Sequence, residues 1–173
     1  RQLWDCFRNR FGVERIIEIY GASEGNALFM NLLNKDQTIG MTNAKVGIFE
    51  YDVAEDKLVK NTEGRYVEVA EHQPGLLLVE IGPNAVYNGY TDKKASEAKV
   101  IQNVLVEGDR WFNTGDLVKT MDVGFSLGRT HYQFVDRVGD TFRWKSENVS
   151  TNEVAEILNS CLLYTSPSPR DLP

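Results

Sequence analysis

Apolar residues along the chain occur in short runs separated by turn-forming residues, a pattern typical of a protein rich in β-strands. The β-branched residues before Gly21 predict a strand. The apolar run that begins at Ala27 fits either a short helix or a buried strand, since its periodicity favours neither. The predicted strands are residues 15–20, 47–53, 58–60, 65–70, 76–81 and, on either side of a turn at 122–124, residues 111–136.

Two helical signals accompany these strands, one before them and one between them. Residues near the beginning of the chain have helical spacing up to Phe11–Gly12, where glycine suits the end of a helix. Thr91 or Asp92 suits the N-cap of a helix through residue 104. The pattern therefore predicts a mixed α/β chain in which a small antiparallel barrel or meander is interrupted by a helix.

A third helical signal lies near the end of the chain. Ser150 stands three residues before Glu153, which is a capping box, and predicts a helix from Thr151. Before it, residues 142–145 alternate aromatic and cationic side chains, as a strand with one apolar face does. The buried side of the helix is expected to comprise Val154, Ile157 and Leu158.

Composition narrows the class of protein. The 173 residues are 42% apolar and 25% charged, which is ordinary for a globular protein. A net charge of −6 argues against a nucleic-acid-binding polycation. Cys6 and Cys161 are too few for a disulfide framework and lack metal-ligand spacing, which favours a reducing compartment. The sequence contains no run of about eighteen apolar residues of the kind that would suggest a bilayer-spanning segment.

Three motifs in order carry a resemblance to a known family. They are YGASEGN at residues 20–26, FNTGDL at 112–117 and DRVGDTFRWKSENVSTNEV at 136–154. Together they resemble the fatty acid transport protein and very-long-chain acyl-CoA synthetase branch of the AMP-forming, or adenylate-forming, synthetase superfamily. The resemblance covers roughly residues 16–160. It implies a ligase that uses ATP, Mg²⁺ and CoA to activate a long-chain fatty acid through an acyl-adenylate.

The resemblance also assigns roles in the first motif. Tyr20 offers a face for adenine, and Gly21 allows close approach of the backbone to the ligand. Ser23 offers a hydroxyl to phosphate, where the family more often has threonine, and Glu24 holds Mg²⁺. Ser23 and Glu24 are thus the candidate catalytic residues, and Glu24 is the candidate metal ligand.

The later motifs carry further roles by resemblance. Asp116 accepts the ribose hydroxyls and Arg137 reaches ribose or phosphate. Considered alone, Asp116 also fits an Asx-turn, and Arg137 a surface salt bridge with a neighbouring aspartate. Gly139, with Asp140, aligns with the hinge about which a C-terminal lid rotates between adenylation and thioester formation. Ser146 stands where this branch usually has glycine, which places the second half-reaction in doubt.

Two alternatives remain open. Residues 21–25 also spell G-x-S-x-G, the nucleophile elbow of α/β-hydrolases. In that interpretation Ser23, Asp116 and His131 form an esterase triad, although few residues precede the serine to build the necessary sheet. His131, like His72, otherwise reads as a surface or strand histidine. The other alternative is a non-catalytic fatty-acid transport or binding protein.

The resemblance implies a domain organisation. Residues 1–36 are expected to end the large α/β AMP-binding subdomain, and residues 37–134 to form a β-barrel subdomain. Residues 135–163 are expected to begin the C-terminal α+β lid, and proline-rich residues 164–173 to be a disordered, non-native tail. We therefore expect a fragment that is inactive alone, with the whole protein in the cytoplasm or on the cytoplasmic face of a membrane.

Overall fold

The computed structural model describes residues 4–21, 27–83, 85–87, 89, 93–139, 142–144 and 147–160. Strands dominate, as the short apolar runs predict. No helix within these ranges combines the length and apolar character needed to cross a bilayer. The elements are α1 (Trp4–Phe11), β1 (Ile19–Gly21), β2 (Leu28–Met30), β3 (Val46–Phe49), β4 (Tyr51–Asp52), β5 (Lys57–Leu58), β6 (Gly75–Glu80), α2 (Lys93–Ala98), β7 (Val100–Gln102), β8 (Arg110–Met121), β9 (His131–Arg137), β10 (Phe142–Trp144), β11 (Glu147–Val149) and α3 (Thr151–Ser160).

The long strand β8 is the centre of the main antiparallel sheet. Its first half lies between β6 and β7, and its second half pairs with β9. β3 completes the sheet beside β6. Separate antiparallel pairs form between β1 and β2, β4 and β5, and β10 and β11. The end of β9 therefore meets the middle of β8, where Asp116 pairs with Arg137.

Strand β6 has apolar side chains on both faces because both faces are covered. Leu77 and Val79 join one buried cluster, which includes Phe29 and Ile39 from the preceding segments. Leu76 and Leu78 point to the opposite face and join a second cluster. The other buried members of that second cluster are Phe49, Val104, Trp111 and Leu117. The continuous apolar run of β6 therefore reflects a strand buried on both sides.

Several predicted elements are confirmed in kind but not in extent. The helix at the beginning ends at Phe11, followed by Gly12 with a φ of 62°. The ambiguous run from Ala27 contains the strand β2. The strand predicted over 15–20 is confined to β1, and that over 47–53 is split at Glu50, whose N–H donates to Val67 O instead. Residues 65–70 form isolated bridges rather than a strand.

The helix predicted over 92–104 is wrong in its second half. Helix α2 ends at Ala98, and β7 begins two residues later. Val100 and Ile101 pair with Phe112 and Trp111 of β8, where β-branched side chains suit a pleated surface. The proposed caps, Thr91 and Asp92, lie outside the described residues.

Helix α3 begins at Thr151, as the capping box predicts. However, Ile157 and Leu158 are 70% and 49% exposed, so the prediction that they are buried is wrong, whereas Val154 is half-buried. At the start of α3, the N–H of Thr151 donates to Asp136 Oδ2 of β9 at 2.8 Å. The hydroxyl of Ser150 donates to Val135 O at 3.4 Å.

His131 at the start of β9 provides a test of the fold by pH. Its ring is fully buried, and neither ring nitrogen has a hydrogen-bond partner among the described residues. Burial and the charge of Lys35 lower the pKa of His131. The neutral form is thus favoured on folding, and stability should fall as the pH drops below about 6.5, the usual value for an unfolded histidine.

We expect His131→Phe to remove the histidine-dependent loss of stability between about pH 7 and pH 5.5. The measurement is the thermal midpoint of the 173-residue chain by circular dichroism across this range. His72 is the other histidine of the chain and is exposed, so His72→Gln is the matched control and should keep the slope. An unchanged slope in His131→Phe would refute the assignment.

Candidate active site

An open cleft of about 1700 Å³ runs along one side of the described structure. Strand β1 forms one wall, the β4–β5 pair forms another, and the β8–β9 junction forms the base. Four of the residues predicted from the sequence to bind a ligand line it, namely Tyr20, Gly21, Asp116 and Arg137, and so does the predicted hinge residue Gly139. The fold thus brings the beginning of the first motif to the second motif and to the start of the third.

A buried carboxylate organises this cleft. The hydroxyl of Tyr20 donates to Asp116 Oδ2 at 2.5 Å, and Arg137 Nε lies 3.2 Å from Asp116 Oδ1. The Asp116 side chain is 9% exposed, whereas that of Arg137 is 71% exposed. A carboxylate accepts about four hydrogen bonds, and the side-chain contacts of Asp116 among the described residues are these two. The Arg137 guanidinium, with five N–H donors in a planar fork, lies at the exposed side of this pair.

The backbone before Asp116 explains how this carboxylate is presented. Gly115 has a φ of 76°, a conformation that favours glycine. Asn113 Oδ1 accepts the N–H of Gly115 at 2.9 Å, and Thr114 Oγ1 accepts that of Asp116 at 3.1 Å. Because Asn113 and Thr114 cap the local turn, the described contacts of Asp116 are those with Tyr20 and Arg137. The Asx-turn interpretation of Asp116 is therefore not what the structure shows.

Tyr20 is held as a neutral donor. Burial, and then the hydrogen bond to Asp116, raise its pKa far above the usual value of a tyrosine. Its ring packs edge-on against Phe29 with centroids 5.4 Å apart and lies 6.5 Å from Phe134. These contacts fix the ring, so the hydroxyl approaches Asp116 in a defined direction.

The third motif contributes a residue that sequence reasoning missed. Asp136 is 1% exposed, and its Oδ2 accepts the N–H of Thr151 at 2.8 Å. Its Oδ1 accepts the N–H of Arg137 at 3.0 Å. From the sequence, Asp136 was predicted only as one possible surface salt-bridge partner of Arg137. A helix cap supplied from fifteen residues upstream leaves no local sequence pattern.

Lysines on the walls of the cleft were also missed. Lys57, Lys60 and Lys99 line it, and Lys99 Nζ is 3.5 Å from the position that a Cβ would take on Gly115. Lys60 lies over the ring of Tyr66, 4.4 Å from its centroid. These lysines are far apart in sequence, so only the fold reveals that they line one cleft together with Asp52, Asp56 and Asp116.

The other predicted site residues lie outside the described residues. These are Ser23, Glu24 and Asp140, together with Ser146. Among the described residues, no three His, Cys, Asp or Glu side chains form a group suited to a metal ion. Nucleotide-bound Mg²⁺ takes one or two protein carboxylates and completes its shell with phosphates and water, so Glu24 remains the candidate ligand.

The geometry contradicts the esterase triad. Asp116 pairs with Arg137 at one end of the β8–β9 ladder, whereas His131 pairs with Met121 at the other. On β8, Met121 lies five positions after Asp116, a distance of about 17 Å at the usual rise of a strand. A triad requires the aspartate and histidine to share a hydrogen bond, so these two cannot serve together.

Comparisons by sequence agree with these motifs. No family model matches the chain. A medium/long-chain-fatty-acid–CoA ligase, FadD6, of Mycobacterium tuberculosis is 41% identical over 98% of this chain and 28% of its own length. Mouse long-chain fatty acid transport protein 5 is 37% identical over 91% of this chain and 23% of its own length. The chain thus spans about a quarter of the length of these relatives.

Comparisons by structure agree on the fold. O-succinylbenzoate coenzyme A synthetase (MenE) of Bacillus subtilis, in complex with AMP, matches 92% of this chain and 28% of its own chain, with a TM-score of 0.58 and 21% identity. The anthranilate CoA ligase AuaEII with anthranoyl-AMP matches 90% of this chain and 26% of its own, with a TM-score of 0.58 and 20% identity. The chain is therefore a homologue of the long-chain fatty acid transport proteins and fatty-acid–CoA ligases, and its mixed α/β fold is similar to part of an AMP-forming synthetase.

Proposed function

We propose that the full-length protein is an ATP-dependent fatty-acid–CoA ligase, which forms an acyl-adenylate and pyrophosphate and then passes the acyl group to CoA. The observation that carries this proposal is the Tyr20–Asp116–Arg137 cluster in the cleft. A nucleoside monophosphate unit offers a pair of vicinal hydroxyls and an anion in close proximity. The cluster offers a buried carboxylate and an exposed guanidinium beside it.

In this proposal Asp116 accepts the two ribose hydroxyls. Tyr20 and Arg137 hold the carboxylate in place before the nucleotide arrives, so little reorganisation is needed on binding. Arg137 also meets the ribose or the α-phosphate through its guanidinium. Gly21 lies in the cleft wall, where the absence of a side chain permits a close approach by the base.

The residues that follow Gly21 complete the proposed chemistry. Ser23 donates its hydroxyl to a phosphate oxygen, and Glu24 binds Mg²⁺ through carboxylate oxygen. The metal would supply neutralisation of the charge on the reacting phosphates. Long-chain fatty acid, ATP and CoA are the proposed substrates, since the relatives are named as fatty-acid ligases or transport proteins. The names of the transport proteins favour a second candidate function in fatty-acid uptake.

The proposed domain organisation follows the same relationship. Residues 1–36 would complete the large AMP-binding subdomain, residues 37–134 would form the β-barrel subdomain, and residues 135–163 would begin the lid. The proposed location is the cytoplasm or the cytoplasmic face of a membrane, where ATP and CoA are available.

A fatty-acid-dependent exchange of pyrophosphate into ATP tests the proposed function. The full-length protein is incubated with ATP, labelled pyrophosphate and Mg²⁺, with and without oleate. We expect exchange only with the fatty acid present, because the adenylate forms from both substrates. Ester hydrolysis is then measured for the wild-type protein and for Ser23→Ala. Ester hydrolysis that depends on Ser23, in a protein that shows no pyrophosphate exchange, would contradict the proposal.

Gly139 is proposed as the hinge of the lid. A Cβ built on Gly139 meets nothing within 4 Å, and its φ lies outside the left-handed region, so this conformation does not require glycine. A second conformation with a different backbone geometry would require it. We expect Gly139→Pro to spare one half-reaction and block the other, because proline fixes φ.

The matched control is Gly139→Ala, which the open space around Gly139 accommodates. Single-turnover measurements of adenylate formation and of thioester formation are made on both variants. Equal slowing of both half-reactions by Gly139→Pro would show that Gly139 is not the hinge.

A further inference from the structure

Asp136 connects two segments that are distant in sequence. Its carboxylate is buried and accepts hydrogen bonds from two backbone N–H groups, one on β9 and one at the first residue of α3. The hydroxyl of Thr151 adds longer contacts, at 3.4 Å to Oδ1 and 3.3 Å to Oδ2. A buried carboxylate is stable only when such donors satisfy it, so both segments are held to the same point.

These contacts bridge the connection between the proposed body and lid. Asp136 precedes Gly139 and the β10–β11 pair, whereas Thr151 follows them. Rotation of the backbone at Gly139 would therefore move Thr151 relative to Asp136. The interaction also places negative charge at the N-terminus of a ten-residue helix, where the helix dipole favours it.

The same carboxylate is directly linked to the nucleotide site. Asp136 accepts the N–H of Arg137, and the Arg137 side chain pairs with Asp116. Successive side chains of a strand point to opposite faces, so β9 presents Arg137 to the cleft and Asp136 to α3. The position of α3 seen here therefore accompanies an assembled Tyr20–Asp116–Arg137 cluster.

We propose that Asp136 is a positioning residue that holds α3 in the arrangement used for adenylation, and that its contact with Thr151 breaks before thioester formation. This inference rests on the proposed function. Loss of the contact between Asp136 and Thr151 destabilises the arrangement used for adenylation. It has no direct effect on the arrangement used for thioester formation. Replacement of Asp136 should therefore slow adenylation selectively.

Two variants of the full-length protein test this inference. Asp136→Asn keeps the shape of the side chain but replaces one acceptor oxygen with a donor. Thr151→Pro removes the donated N–H and leaves Asp136 unchanged, and proline suits the first position of a helix. Asp122→Asn is the matched control, since Asp122 also accepts a backbone N–H, at 2.8 Å from Gly124, but in an exposed turn.

Adenylate formation is measured by pyrophosphate exchange, and thioester formation by adding CoA to preformed acyl-adenylate. We expect both test variants to slow adenylation by about tenfold, as loss of a charged hydrogen bond implies, and to leave thioester formation within about twofold. The control should change neither rate. Amide hydrogen exchange at residues 151–154 should be faster in Asp136→Asn.

The outcomes separate the inference from the proposed function. Equal slowing of both half-reactions, or no slowing of either, contradicts the positioning role even when the wild-type protein is an active ligase. Absence of fatty-acid-dependent exchange in the wild-type protein contradicts the proposed function, and the inference falls with it.

Discussion

Asp116→Ala in the full-length protein should lower fatty-acid-dependent pyrophosphate exchange on the order of 10²-fold, because the proposed ribose contact also positions the α-phosphate for attack. Asp116 is buried between Tyr20 and Arg137, and its removal takes away the shared partner of both. The expected change includes a higher KM for ATP, since the proposed contact of the carboxylate with the nucleotide exists before and during the reaction.

The cleft offers a matched control for this change. Tyr51 donates a hydrogen bond to Asp56 at another wall of the same cleft. Asp56→Ala therefore also removes a carboxylate that accepts a hydrogen bond from a tyrosine. Asp56 has no proposed nucleotide contact, and its variant should retain exchange. A comparable loss of pyrophosphate exchange in both variants would show that the effect comes from general disruption of the cleft. Wild-type exchange in Asp116→Ala would exclude the ribose assignment.

Glu24→Ala should also reduce adenylation on the order of 10²-fold or more, because a lost metal ligand removes charge stabilisation in the transition state. Folding should change little in comparison. The measurement is pyrophosphate exchange as a function of Mg²⁺ concentration, with stability followed by thermal unfolding. Partial recovery at high Mg²⁺ is expected if Glu24 acts by binding the metal.

The control for Glu24 comes from the same part of the chain. Glu14 is exposed, and its replacement by alanine should leave both the rate and its dependence on Mg²⁺ unchanged. A stable Glu24→Ala protein that releases pyrophosphate at the wild-type rate would remove Glu24 from the metal site.

Much of the site was predictable because its motifs are local. YGASEGN, FNTGDL and the segment beginning at Asp136 pointed to Tyr20, Asp116 and Arg137, and the fold brings these three together in one cleft. The role of Asp136 was not predictable, since a carboxylate that caps a helix from a distant strand has no spacing rule. Nor was the grouping of Lys57, Lys60 and Lys99 around the cleft, because net charge says nothing about how charges are grouped.

The fold shows the same division between local and non-local information. The beginning of α3 follows from Ser150 and Glu153, which are local signals. The extent of α2 does not, because Val100 and Ile101 join a strand only when β8 is beside them. Ile157 and Leu158 have helical spacing, yet they are exposed, because the spacing of a helix face does not specify what packs against it.

Product analysis of the full-length protein tests the central claim most directly. The protein is incubated with oleate, Mg²⁺-ATP and CoA, and AMP and oleoyl-CoA are quantified together. The proposed chemistry predicts equal amounts of the two products, both of which depend on Asp116. Release of ADP instead of AMP, or binding of oleate without consumption of ATP, would contradict the assignment of this cleft as the adenylation site of a fatty-acid–CoA ligase.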